Sequence, residues 1–367
     1  MKLAVICRAF SFHGGVETAT AGLIAELLRR GHAIDLLSTR AQEAMPGVRV
    51  RRLSTLEQPS LLRFLSFALA ARRAVAGGGG YDIVQSHERV LSQDIYRAGE
   101  GTHRGYLRAM GRHGDRINPY HQVVRAVEKR IFTLRCARHI VAISRAGKDE
   151  IERLYAPPPE RVSLVYNGVD LQRFHPEQHA RFGGATRDAL GIEHESWVIV
   201  FVGSGFERKG LGPLLEAVAR VGNPACRLVV AGKGDVKPYQ ALAGRLGIAD
   251  RVRWTGPRRD VERLYAAADI VALPALYEPF GNVHLEALAS GVPVLTSARA
   301  GGSEVVTSGR TGWVVSEPTA AAIAEGLLAL QDRHGATLAQ RARESAEPFT
   351  YAAQADRFEA LYRQLKR

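Results

Sequence analysis

Glu278 and Glu286 stand eight positions apart in the stretch EPFGNVHLEALASG, with Gly281 and Asn282 between them. An apolar run, 270–273, stops at Pro274, and helix-forming residues begin at Gly281, so the pattern predicts a strand, a polar loop and a helix start. Glu278 then lies in the loop and Glu286 about a turn and a half into the helix, where a ligand lying across the helix N-terminus can touch both. Gly281 and Asn282 leave the first backbone N–H groups of that helix uncovered, and such groups attract phosphate. Taken singly, each glutamate reads as an ordinary solvated carboxylate. A second stretch, 203–210, reads Gly-Ser-Gly-Phe-Glu-Arg-Lys-Gly after an apolar run. It sets the basic pair Arg208 and Lys209 on a glycine turn ahead of a helix, an arrangement suited to phosphate. The chain has no D-x-D pair and no His/Cys cluster with metal-ligand spacing. Charge on a bound phosphate would therefore fall to protein cations and amides, without a metal.

The elements that must position these residues are short apolar strands alternating with helical patterns from end to end. That is the signature of parallel βαβ units, and the predicted fold class is α/β. The first strand runs into the double glycine Gly14-Gly15, which lets a ligand approach the backbone at the carboxyl edge of the sheet. A strand over 81–85 delivers His87 to such an edge, and the next places Glu100 and His103 after it. A helical pattern over 118–135 carries Val123, Val124, Val127, Ile131 and Leu134 on one stripe, with Arg125, Lys129 and Arg130 elsewhere. Ser144 is the expected N-cap of a helix reaching Tyr155. Gly203 opens the turn that holds Arg208 and Lys209, and Arg259 lies in a loop after a later strand, with Lys233 a weaker candidate on another glycine turn.

The 367 residues suit two domains, each large enough for its own core. The longest apolar run, 197–202, is far short of the ~20 residues a membrane span requires. Three scattered cysteines without CxxC spacing fit a reducing compartment, and the N-terminal run reads as a strand instead of a signal peptide, so the expected location is cytoplasmic. A net charge of +13 calls for a polyanionic neighbour or substrate. Segment 97–148 holds twelve basic residues, from Arg97 to Lys148, against Glu100, Asp115 and Glu128, so nine of the thirteen charges sit there.

The whole pattern resembles the E-x7-E motif of retaining family 4 glycosyltransferases with the GT-B fold, down to Phe280-Gly281-Asn282 and the trailing Gly291-Val292-Pro293-Val294. The resemblance spans nearly the whole chain. It implies two Rossmann-like domains facing a cleft, the first over 1–168, a nucleotide-sugar domain over 169–348, and a C-terminal helix over 349–367 crossing back onto the first. It implies that Glu286 holds the ribose, Glu278 the transferred sugar, the amides from Phe280 to Val283 the sugar and diphosphate, and Arg208 and Lys209 the diphosphate. Gly14, Gly15 and Gly203 are implied near the donor, and Arg259 near the base.

Within the family, segments 12–17, 98–101 and 203–210 are most similar to the lipopolysaccharide-core glucosyltransferases. That implies UDP-glucose as donor and a lipid-anchored, often phosphorylated heptose as acceptor, with the anomeric configuration retained. Many members carry a histidine where this chain has Glu100, which becomes a catalytic candidate, with His87 and His103 on the acceptor side. The basic segment 97–148 is expected to meet an anionic inner-membrane surface or the acceptor's phosphates. GDP-mannose and UDP-N-acetylhexosamine donors fit the same shared motifs. A sugar-nucleotide epimerase or hydrolase would also bind the diphosphate. A nucleic-acid binder would explain the charge alone, but the basic stretch lacks interleaved aromatics.

Overall fold

The structure, a computed structural model, describes residues 1–367 except 11–14, 42–44, 78, 113–117, 135, 332–334 and 367. Gly14 therefore lies outside the described residues, as do Arg116 and Arg135 of the basic segment. The chain divides into two compact units. One holds Val16–Asn167 with the first strand and the C-terminal helix, and the other holds Gly168–Thr350.

In the first unit the strands are β1 (Lys2–Ile6), β2 (Ala9–Phe10), β3 (Ala33–Ser38), β4 (Arg40–Ala41), β5 (Val48–Arg52), β6 (Ile83–Ser86), β7 (Gln93–Arg97), β8 (Ala137–Ala142) and β9 (Val162–Leu164). The helices are α1 (Gly15–Arg29), α2 (Ser60–Ala76), α3 (His103–Ala109), α4 (Pro119–Thr133) and α5 (Arg145–Tyr155). Seven of the strands form a parallel sheet in the order β5-β3-β1-β6-β7-β8-β9, and β2 pairs only with β4. Residues of β1 and β6 are buried on both faces, which is why β1 reads as a continuous apolar run without alternation, while β6 buries the polar Gln85 and Ser86 at its end. The edge strand β5, Val-Arg-Val-Arg-Arg, carries three arginines, and charge on an edge strand guards against pairing with another chain.

The second unit begins with α6 (Glu177–Ala189) and continues through β10 (Trp197–Val202), α7 (Leu211–Val221), β11 (Cys226–Ala231), α8 (Lys237–Arg245), β12 (Val252–Gly256) and α9 (Val261–Ala267). It closes with β13 (Ile270–Leu273), α10 (Val283–Ala289), β14 (Val294–Ser297), β15 (Gly312–Val315), α11 (Ala320–Gln331) and α12 (Ala336–Ala346). Its six-stranded parallel sheet has the order β12-β11-β10-β13-β14-β15. The fold is α/β with two Rossmann-like sheets.

In both sheets the chain starts in the middle, winds to one edge, and returns to the other side of its starting strand. The order therefore reverses between β1 and β6 in one sheet and between β10 and β13 in the other. Open parallel sheets bind ligands outside the carboxyl ends of strands at such reversals. The turn 203–210 follows β10 and the loop 274–282 follows β13, so both sit at that point.

The final helix, α13 (Tyr351–Leu365), belongs to the first unit, where Ala355, Phe358, Leu361, Tyr362 and Leu365 join the core around β1 and α1. The helical reading of 118–135 needs one correction. Thr133 ends α4, and Leu134, placed on its apolar stripe, is the C-cap and 56% exposed.

Candidate active site

Gly203 follows β10 and carries no side chain for a physical reason. A Cβ there would lie 2.5 Å from Cδ of Lys209 and 2.8 Å from its Nζ, so only glycine lets the lysine fold back over the turn. Lys209 is thereby buried, and its Nζ reaches Oε2 of Glu278 at 3.0 Å. Arg208 Nη1 donates to the same oxygen at 3.0 Å and to the Tyr277 carbonyl at 2.8 Å. The Arg208 carbonyl in turn accepts from the Leu276 amide at 2.8 Å. These bonds staple the turn after β10 to the loop after β13, seventy positions later. Burial opposes the Glu278 charge, but the Lys209 ammonium and then the Arg208 guanidinium outweigh it and bring the carboxyl down to about 2.

The loop itself is rigidly built. The Phe280 ring is fully buried, its carbonyl accepts from the Gly302 amide at 2.7 Å, and the Glu278 carbonyl accepts from the Gly301 amide at 2.8 Å. Gly281 turns the chain with φ +82°, a conformation that L side chains rarely adopt. His284 locks that turn from within α10. Its ring is completely buried, with Nδ1 2.6 Å from the Gly281 carbonyl and Nε2 2.7 Å from Thr296 Oγ1. The first contact requires a proton on Nδ1, and the Thr296 hydroxyl that meets Nε2 also donates to the Leu273 carbonyl at 3.2 Å. Burial holds its pKa at about 4. Asn282 stands at the N-cap in helical conformation without a side-chain capping bond. Among the described residues the amides of Gly281 and Val283 have no hydrogen-bond partner.

Glu286 is buried one turn into α10, and its Oε2 accepts from the Tyr265 hydroxyl at 2.8 Å. Its other oxygen has no hydrogen-bond partner among the described residues. Burial raises the Glu286 pKa, whereas Glu278 is depressed. The two carboxylates of the motif thus stand in opposite environments. Arg259, expected near the base, is exposed on the loop after β12 at the sheet's edge. Its carbonyl accepts from Arg173, whose guanidinium is paired with Glu262 at 2.7 Å.

Gly15 opens α1, whose remaining residues belong to the first unit. His87, expected on the acceptor side, has both ring nitrogens engaged. It is buried, with Nδ1 2.8 Å from Thr20 Oγ1 and Nε2 accepting from the Gln85 amide at 2.8 Å. Gln85 Oε1 accepts from the Tyr362 hydroxyl at 2.6 Å, so the histidine ends a bond chain that ties α13 to α1. Burial, reinforced by Arg97, lowers its pKa well below the ordinary value.

Glu100 is half-exposed after β7 and takes Arg89 Nη1 at 2.6 Å. Arg89 also binds Glu128, which accepts from the His103 amide at 2.7 Å and the Tyr155 hydroxyl at 2.5 Å. His103 Nε2 meets Nδ1 of His121 at 2.8 Å, and burial with the nearby Arg89 charge brings its pKa to about 4. Two members of the basic segment's charge count are corrected here, because Arg97 and Glu128 are buried and neither belongs to a surface patch.

His284, Tyr265, Arg89 and Glu128 were not singled out by sequence reasoning. Their partners lie between three and thirty-nine positions away, and only His284 falls inside a recognisable motif.

Residues 184–348 match the family described as "Glycosyl transferases group 1", and residues 13–173 match "Glycosyltransferase Family 4". A D-inositol 3-phosphate glycosyltransferase of Mycobacterium marinum is 31% identical over 95% of this chain and 81% of its own length. The chain is a family 4 glycosyltransferase.

An uncharacterized glycosyltransferase of Methanocaldococcus jannaschii is 26% identical to this transferase over 83% of each chain. Among solved structures, WaaG, a glycosyltransferase involved in lipopolysaccharide biosynthesis, superposes with a TM-score of 0.88 at 22% identity, covering 98% of this chain and 99% of that one. Anabaena HepE in complex with UDP-glucose gives 0.76 at 20% identity over 99% and 100%. Identities this low establish the GT-B fold alone for the transferase.

Proposed function

We propose that the enzyme moves a hexose, glucose from UDP-glucose, to a hydroxyl of a lipid-anchored, phosphorylated glycan such as a lipopolysaccharide-core heptose, retaining the anomeric configuration without a metal. The observation that carries this reading is the Arg208–Lys209–Glu278 cluster at the β10/β13 reversal. Two cations are held together there by one carboxylate, beside a loop with unpaired amides. They form a preorganised sink for the charge that develops on a departing diphosphate. Among the described residues no group of three His, Cys, Asp or Glu is arranged to hold a metal ion.

In this reading Glu286 binds the ribose through its unengaged oxygen, oriented by Tyr265. Glu278 and the amides from Phe280 to Val283 meet the transferred sugar and the diphosphate. Gly203 and the glycines Gly14 and Gly15 allow close approach of the backbone, and Arg259 flanks the base. Glu100 and His103 face the acceptor side. The cations along 104–148 attract its phosphates or an anionic membrane at the cytoplasmic surface. The HepE complex supports a uridine donor, and the relatives named for D-inositol 3-phosphate support a phosphorylated acceptor.

The test is incubation with UDP-glucose in excess chelator, with and without a heptose-containing core acceptor. Acceptor-dependent α-linked product supports the proposal. Free glucose or an isomeric nucleotide sugar formed at the same rate without acceptor would make the enzyme a hydrolase or epimerase.

A further inference from the structure

Helix α2 is apolar on two opposite sides, and only one of them is used by the core. Phe64, Phe67 and Ala71 form the inner stripe and are buried. Leu62, Leu65 and Leu69 repeat the same three- and four-residue spacing two positions earlier, about 200° around the helix at 100° per residue. They are 45%, 42% and 47% exposed. Leu56, 54% exposed, precedes the helix, and its amide donates to Ser66 Oγ at 3.1 Å, which lays that loop along α2. A surface helix of a soluble domain ordinarily turns polar residues outward, and a run of outward leucines marks a contact surface.

The charges around this stripe indicate what it contacts. α2 contains Arg63, Arg72 and Arg73 and no acidic residue, and Arg72 and Arg73 are exposed just beyond Leu69. The neighbouring helix α4, joined to α2 through the Phe64 and Tyr120 rings 6.3 Å apart, exposes Lys129 and Arg130. The one carboxylate of α4, Glu128, is buried. The outward face of α2 thus combines leucines with cations and that of α4 carries cations, neither helix exposing an acid, while one exposed carboxylate, Glu57, stands on the loop before α2. A second copy of the chain docking there would oppose two faces of one sign.

We propose that the outer face of α2 is a membrane-docking surface, with Leu62, Leu65 and Leu69 entering the headgroup boundary of an anionic bilayer and the flanking arginines and α4 cations meeting lipid phosphates. This deepens the lipid-anchored-acceptor reading and rests on it for its purpose. It explains how a chain without a helix long and apolar enough to cross a membrane among the described residues reaches an acceptor held in one.

The test is flotation of the full chain with phosphatidylcholine vesicles containing or lacking phosphatidylglycerol, for wild type, Leu65→Ser/Leu69→Ser and Arg72→Glu/Arg73→Glu, with UDP affinity measured by calorimetry on each. The substituted leucines are exposed and the buried stripe is untouched, so the fold is kept. Wild type should bind the anionic vesicles. The leucine pair should weaken that binding by roughly tenfold or more even at low salt, and the arginine pair should remove the preference for phosphatidylglycerol. UDP affinity should not change in either. Vesicle binding unaltered in the leucine pair overturns the proposal. So does a concentration-dependent dimer in wild type that the leucine pair dissolves, because the stripe would then be a self-association face. If wild type fails to bind UDP while vesicle binding still depends on the leucines, the donor reading fails and the docking surface stands.

Discussion

Glu278 and Glu286 carry their charge on different terms. Glu278 is neutralised by two cations in hydrogen-bond contact, so it orients Lys209 and Arg208 as much as it binds anything itself. When a diphosphate arrives, those cations gain a second anion, and their contribution grows as the leaving group acquires charge. Lys209→Ala should therefore lower turnover by about 10²–10³-fold with a smaller change in donor KM, the range seen when one preorganised donor to a developing anion is lost. Steady-state kinetics check this, and a rise in KM alone would make Lys209 a ground-state binder.

His284 gives the same loop a pH dependence. Its folded pKa of about 4 lies below the ordinary imidazole value, so protons are taken up preferentially by the unfolded chain. The stability contributed by the neutral ring is complete above about pH 6.5 and is lost progressively as pH falls toward 4, on the order of 3 kcal/mol for a fully buried group. His103 acts in the same direction, while Glu286, raised by burial, opposes it as pH falls from its raised folded value to the ordinary carboxylate value. Thermal unfolding between pH 7 and pH 4.5 should show a falling midpoint, with the slope reduced in His284→Gln. A midpoint independent of pH would contradict the burial account.

At the scale of elements, what could be read in advance was what local spacing encodes. Ser144 caps α5 by accepting from the Gly147 amide, and Asn118 caps α4 by accepting from Tyr120. The strand, loop and helix order around Glu278 follows from an apolar run, a proline and a glycine. What could not be read was burial enforced by distant partners. Arg97 counts as a surface cation in any sum of charges, yet it ends β7 in the interior, with Nη2 on Asn167 Oδ1 at 2.5 Å. His87 looked like an edge histidine because a strand ends beside it, but Tyr362, far along the chain, completes the bond chain that engages it.

That chain makes α13 part of the first core, not an appendage. Tyr362→Phe removes the hydroxyl that satisfies the buried Gln85 oxygen, so it should cost ~1–3 kcal/mol. Denaturant unfolding checks this, and a change within a few tenths of a kcal/mol would show that the Gln85–His87 network holds without α13.

For the whole molecule, two parallel sheets each present a reversal of strand order, and the charged groups gather at both. Arg8 pairs with Glu88 at 2.5 Å beside β1 and β6, as Arg208 and Lys209 pair with Glu278 beside β10 and β13. Positive charge away from these clusters stands on α3 and α4, where Arg104, Arg108, Lys129 and Arg130 are exposed, whereas the three basic residues of α5 are matched by three acidic ones. The central claim is that the second unit's reversal point binds a nucleoside diphosphate sugar with Glu286 on the ribose. Calorimetry with UDP-glucose, GDP-mannose and ADP-glucose, on wild type and Glu286→Ala, tests it most directly. The account predicts that UDP-glucose binds wild type and that Glu286→Ala weakens it by about 1.5–3 kcal/mol for each charge-assisted hydrogen bond lost. Binding of UDP-glucose to a folded Glu286→Ala with wild-type affinity would contradict it.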